Sequence, residues 1–186
     1  MAKIKGVEPV KLFVAMLSSD DMLFEEVAAS LEPVFGRCKR AQETFPFNYT
    51  EFYNKEMGSG LLRNFLSFEK LIDPLYLADV KLITNSVEMQ YADTSDGRAK
   101  RRINLDPGYI GLSKLVLASV KDRPHRIYIG KGIYSEITLY YEKKTFRPFP
   151  WSYPDYASGE YMSYLNYLRD IYTEELKKCY SEMREK

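Results

Sequence analysis

The 186-residue sequence is poor in histidine, tryptophan and cysteine, with one, one and two of each. His125 is the sole imidazole, and Cys38 and Cys179 stand far apart with no CxxC spacing. Together they supply no ligand set for a tetrahedral zinc site. Two isolated thiols make no disulfide framework either, and they suit a reduced, cytoplasmic setting. Long apolar runs are missing too. Residues 12–17 and 115–120 fall far short of the roughly 20 apolar residues that a bilayer span needs, so no membrane partner is expected. Glu8, Pro9 and Lys11 interrupt any apolar run near the start, and no secretory signal is read there. Gly58-Ser59-Gly60 and Gly130-Lys131-Gly132 read as turn glycines rather than a phosphate-cradling P-loop. No GxGxxG occurs, so a Rossmann dinucleotide site has no support.

What is present begins with an uneven charge. The chain totals +1, yet residues 98–131 hold nine lysines and arginines against two aspartates. That stretch carries +7 and the remainder −6. Clustered positive charge concentrates phosphates and carboxylates near a surface. Aromatic residues make up 15% of the chain and hydrophobic residues 45%, enough apolar surface for a packed core. The length suits one α+β domain over residues 1–186.

Hydrophobic periodicity orders the elements. The KLFVAML run at 11–17 reads as a buried strand. A helix follows, capped by Ser18, Ser19 or Asp20, with Leu23, Val27 and Leu31 on one face and Pro33 and Gly36 ending it. Residues 37–44 read as a polar-faced strand, and 45–57 as an aromatic loop. In the next strand, 61–70, Leu62, Asn64, Leu66 and Phe68 share one face and Arg63, Phe65, Ser67 and Glu69 the other. Asp73-Pro74 opens a second helix that ends near Tyr91. Residues 101–106 alternate as a strand with Arg102, Asn104 and Asp106 on one side, and Asp106-Pro107-Gly108 reads as a turn. Strands at 114–120, 125–129 and 133–141 are expected to form a meander. A proline-framed aromatic loop at 147–156, holding Trp151, leads to a C-terminal helix capped by Ser158. Its apolar face runs from Tyr161 through Leu165, Leu168, Tyr172 and Leu176. Strand, helix, strand, strand, helix, strand suits an antiparallel sheet of ferredoxin-like βαββαβ order, extended by the β-meander and the C-terminal helix.

Three functional readings follow. In the first, the protein binds a phosphate-containing small molecule, a nucleotide, or RNA at a basic sheet surface. Arg101, Arg102, Lys114, Lys121, Arg126 and Lys131 supply cations, and Asn104 and Asp106 orient a sugar or base. Tyr109, Tyr128 and Tyr134, lying among the cations, offer faces for base stacking. In the second, Glu69, Asp106 and Glu136 converge on Mg²⁺ or Mn²⁺ for phosphoester hydrolysis or transfer, with Asp106, His125 and Glu136 as catalytic candidates. Against it stands the plainer reading of solvated carboxylates paired with neighbouring arginines. His125, directly after Pro124, likewise reads as a strand-edge histidine. In the third, the chain is an interaction module, including a possible homo-oligomer, that pairs its basic patch with an acidic surface.

Five segments taken together resemble one bacterial family, domain of unknown function 4416. They are PVKLFVAMLSSD, EMGSGLLRNFLSFEKLIDP, RRINLDPGYI, KLVLASVKDRPHRIYIGKGIYSEITL and WSYPDY. They span nearly the whole chain, so the resemblance is full-length. It implies no activity, cofactor or site residue.

Overall fold

The apolar run near the N-terminus forms the middle of a large sheet in the computed structural model, which describes residues 3, 6–95, 97 and 99–184. Arg98, counted in the basic stretch, lies outside the described residues. In chain order the elements are β1 (Val10–Ser18), α1 (Met22–Phe35), β2 (Cys38–Arg40), β3 (Phe45–Pro46), α2 (Asn54–Met57), β4 (Leu62–Ile72), α3 (Leu77–Gln90), β5 (Ile103–Ile110), β6 (Lys114–Ser119), β7 (Ile127–Gly130), β8 (Ile133–Glu142), β9 (Thr145–Pro148), α4 (Pro154–Ala157) and α5 (Met162–Arg184). Among the described residues these strands make one nine-stranded antiparallel sheet of order β2-β4-β1-β5-β6-β8-β7, with β3 beside β4 and β9 beside β8.

β1 is buried at all nine positions. A strand covered on both faces needs continuous rather than alternating hydrophobicity, and its sequence has that. Its even-numbered residues Leu12, Val14 and Met16 meet α1 and α3 through Phe24, Leu31, Val80 and Val87. Its odd-numbered Phe13 and Ala15 lie under α5, whose Leu165, Leu168, Tyr172 and Leu176 are buried at the expected helical spacing. The one charged residue in β1, Lys11, is buried and bonds to Glu175 of α5 at 2.5 Å. Phe45, Phe65 and Tyr161 pack edge-on with centroids 5.0–6.4 Å apart. Each such pair adds about 0.5–1.5 kcal/mol beyond its buried area. No helix among the described residues is long and apolar enough to cross a membrane.

Several local expectations change. The three strands after β5 are not a meander, because β8 lies between β6 and β7. Of these three strands, only β7 and β8 form a hairpin with sequence neighbours paired, closed through Gly130, Lys131 and Gly132, all at positive φ. α1 continues through Pro33, which falls in its last turn, and stops at Gly36. Residues 45–57 are not wholly irregular, since they hold β3 and α2. Asp20 accepts the amide of Met22 at 3.0 Å, whereas Ser18 remains in β1. Ser158 closes α4 instead of starting α5. Asp73 does cap as expected, accepting from Leu75 N at 2.8 Å in a short 3₁₀ turn ahead of α3.

The expected turn at Asp106-Pro107-Gly108 lies inside β5. Backbone groups of successive strand residues point to alternate sides. Those of Leu105 point away from β1, and so does the nitrogen of Pro107 two residues on, which has no N–H to give. β5 pairs with β1 from Ile103 to Ile110 but with β6 only from Gly108 to Ile110. The sheet therefore splits at Pro107. Gly108 stands where the strands rejoin: a Cβ there would meet Val116 O at 2.3 Å.

Candidate ligand cavity

The split opens into a cavity of about 720 Å³. Its floor carries Arg63 of β4 and Asn104 and Asp106 of β5. One side is α3, with Lys81, Asn85 and Glu88, and the opposite side is β6 and Glu136 of β8. Phe47, Tyr49, Phe52 and Tyr53 form an aromatic wall from the segment before β4, and Tyr153 and Tyr156 close the remaining side.

Two residues of α3 make the split stable. Glu88 accepts the amide of Leu105 at 2.6 Å, and Lys81 Nζ donates to its carbonyl at 2.7 Å. They sit seven residues apart, two turns along one helix face, and replace the strand that β5 lacks on this side. Both are buried. Burial pushes the Glu88 carboxyl above its ordinary range, and Lys81 opposes this.

Asp106 lies between two cations. Arg63 Nη1 is 3.7 Å from one of its oxygens and Lys81 Nζ is 3.7 Å from the other. Asn104 Nδ2 donates to it at 2.7 Å, so the expected alliance of Asn104 and Asp106 on one side of the strand holds. Arg63 also pairs with buried Asp155 at 3.3 Å. Burial opposes the Arg63 charge, and the carboxylates of Asp155 and Asp106 raise its pKa in spite of that. Asp155 is shifted upward by burial, with Arg63 acting against the shift. Nε and Nη1 of Arg63 are buried without a hydrogen-bond partner among the described residues, and so are the nearby hydroxyls of Tyr156 and Tyr161. Because neither nitrogen exposes surface, the buried guanidinium gives the floor charge rather than an open donor.

The basic stretch divides in space. Of its expected contacts, Arg101, Asn104, Asp106 and Lys121 line the cavity. Arg126 reaches its edge, donating from Nη2 to the Tyr153 hydroxyl at 2.6 Å. That hydroxyl is pushed up to about 12, mainly by burial. Arg102 pairs with Asp20 and Lys131 with Asp79, both exposed, and Lys114 begins β6 at its other end. Arg101 grips both Glu56 oxygens, at 2.8 and 2.7 Å, and contacts Glu88 at 3.5 Å. Most of these cations are thus already matched to carboxylates.

The metal triad does not assemble. Glu69 lies four residues beyond Phe65, which is level with Ala15 and hence with Asp106, so it stands about 13 Å along the sheet. Among the described residues no three His, Cys, Asp or Glu side chains gather as a metal would require. Glu136 is committed to Arg126 at 2.7 Å, His125 at 3.1 Å and Thr138 at 3.3 Å. His125 stacks on Trp151, centroids 5.7 Å apart, away from the cavity lining. Trp151 in turn stacks on Phe149 and donates to Ile137 O at 3.0 Å.

Sequence reasoning missed Arg63, Lys81, Glu88 and Asp155 as site residues. The available signal was a charged residue at an otherwise apolar position: Arg63 on the face of Phe65, and Lys81 and Glu88 beside Thr84 on the buried stripe of α3. The expected stacking tyrosines also differ. Tyr128 and Tyr134 pack on each other at 5.4 Å, and Tyr109 packs under α3, while the cavity takes its aromatics from residues 47–53 and 153–156.

Across residues 8–172 the chain matches a family model described as Domain of unknown function (DUF4416). No curated protein matches it, and no solved structure does.

Proposed function

The chain belongs to the DUF4416 family, whose description carries no activity, and from the cavity we propose that it binds a phosphate-bearing small molecule of nucleotide size. The observation that carries this reading is the joining of an aromatic wall to a floor of charged and amide side chains in one concave space of about 720 Å³. Ligand sites typically span about 300–1,000 Å³ and combine apolar walls with a few placed polar groups. Tyr53, Phe47 and Phe52 offer faces to a base. Asn104 and Asp106 orient a sugar, and Lys121 supplies positive charge at the mouth. Extended RNA on the sheet surface is less favoured, because Arg101, Arg102, Arg126 and Lys131 already hold carboxylates.

The scaffold is part of the proposal. β1, α1, β2, β4, α3 and β5 are read as a ferredoxin-like βαββαβ unit working in the cytoplasm. The spatial order β2-β4-β1-β5, with α1 and α3 on one face, supports the fold assignment. The test is calorimetric titration with nucleotides and with single-stranded RNA at low salt, on the wild type and on Asp106→Ala. A nucleotide that binds the wild type and loses affinity at least about tenfold in D106A supports the reading. Binding of RNA alone, or nucleotide binding indifferent to D106A, overturns it.

A further inference from the structure

We infer that the ligand carries a single phosphate, so that the site takes a nucleoside monophosphate in preference to a di- or triphosphate. This rests on the cavity being the nucleotide site proposed above. The starting point is the balance of charge in its lining. Four cations, Arg63, Lys81, Arg101 and Lys121, face four carboxylates, Glu88, Asp106, Glu136 and Asp155. A site for a polyphosphate concentrates positive charge, and this one does not.

The commitments of each group sharpen the count. Arg101 is held by Glu56 and Glu88, Arg63 by Asp155 and Asp106, and Lys81 by Asp106. Lys121 makes no ion pair among the described residues. Its ammonium lies 4.4 Å from the ring centroid of Phe52, a residue 63% exposed, so it stands at the mouth. One uncommitted cation, within reach of solvent, suits one phosphate.

The floor suits something uncharged. An anion placed there would sit against Asp106 and Asp155. A hydroxyl can donate to the partly exposed Asp106 carboxylate. A sugar diol suits that acceptor, and a base then lies against the aromatic wall. Among the described residues that line the cavity, a second or third phosphate finds no further unpaired cation. Arg126 does not serve, because its Nε is spent on Glu136 and its Nη1 on Ser119 Oγ and Lys121 O.

The experiment compares a nucleoside with its mono-, di- and triphosphate by calorimetry at fixed ionic strength, on the wild type and on Lys121→Ala. Thermal unfolding confirms that the variant is folded. The monophosphate should bind the wild type about tenfold more tightly than the nucleoside, and each further phosphate should weaken binding by a similar factor, the scale of one charge contact at about 10 Å in an intermediate dielectric. In K121A the advantage of the monophosphate over the nucleoside should disappear. A triphosphate that binds best, or a ratio unchanged in K121A, overturns the single-phosphate inference and leaves the cavity reading standing. No binding by any of the four compounds overturns the cavity reading, and this inference with it.

Discussion

Glu88 accepts the backbone amide of Leu105 at 2.6 Å, so a helix side chain performs on β5 the task that a neighbouring strand would otherwise perform. Replacing it by alanine leaves that buried N–H without an acceptor, at a cost of about 1–3 kcal/mol. Urea unfolding of Glu88→Ala should show a loss of that size. Glu88→Gln keeps an acceptor in place and should lose less.

The same residue gives the stability a pH dependence. Burial raises the folded pKa of Glu88 above its unfolded value near 4. Between the two values the native state holds the extra proton, so stability falls as pH climbs through that window and levels off above it. Asp155, also raised by burial, contributes in the same sense. Urea midpoints measured from about pH 4 to pH 8 should decline over the lower part of the range, and E88Q should flatten part of that decline.

Arg63 and Asp155 are both buried and face each other at 3.3 Å. Removing one strands the other charge. Arg63→Ala or Asp155→Ala alone should cost about 3–5 kcal/mol. The double variant should cost clearly less than the sum of the singles, and a double-mutant cycle from chemical unfolding measures the difference. Strict additivity would mean that the pair does not act as a unit.

At Gly108 the obstacle is backbone. A Cβ would approach Val116 O at 2.3 Å and Leu117 Cδ2 at 2.8 Å. Val116 O belongs to β6 and cannot rotate aside. Gly108→Ala should therefore destabilise by about 3 kcal/mol, the upper part of the range for overpacking, read from the shift in urea midpoint.

The turn between β8 and β9 holds two exposed lysines at positive φ, Lys143 at 50° and Lys144 at 65°. Left-handed backbone costs a side-chain-bearing residue about 1–2 kcal/mol, and Asn-Gly is the favoured pair in such two-residue hairpins. Replacing Lys143-Lys144 with Asn-Gly should raise stability by about 1 kcal/mol, seen as a higher thermal midpoint.

These lysines also show where the sequence was hard to read. β9 went unseen because its hairpin lacks the glycine or asparagine that normally marks one. Pro107-Gly108 carried turn chemistry that tertiary context turned to another use, ending a ladder on one side and admitting a close strand. The order β6-β8-β7 depends on long-range pairing, which no local pattern encodes. By contrast, β1 followed from its continuous apolar run, and α3 and α5 from periodicity, because each helix buries a face whose spacing is written residue by residue. Asn104, Asp106 and Lys121, which line the cavity, were legible as candidates from their place in a charged strand and turn. Arg63, Lys81 and Glu88 were not, because a charged residue on a buried face shows its purpose only when its partners arrive from other elements.

The side chains of Lys81 and Glu88 tie one wall of the cavity to the sheet at a single residue, Leu105. A strand forming that wall would fix the cavity's breadth through a ladder that moves only as a whole. Here the wall meets the sheet through two side-chain bonds outside the strand ladder. Substitutions at Lys81 or Glu88 therefore act on that wall without touching a strand pairing, and should register first in the hydrogen exchange of a single amide, that of Leu105.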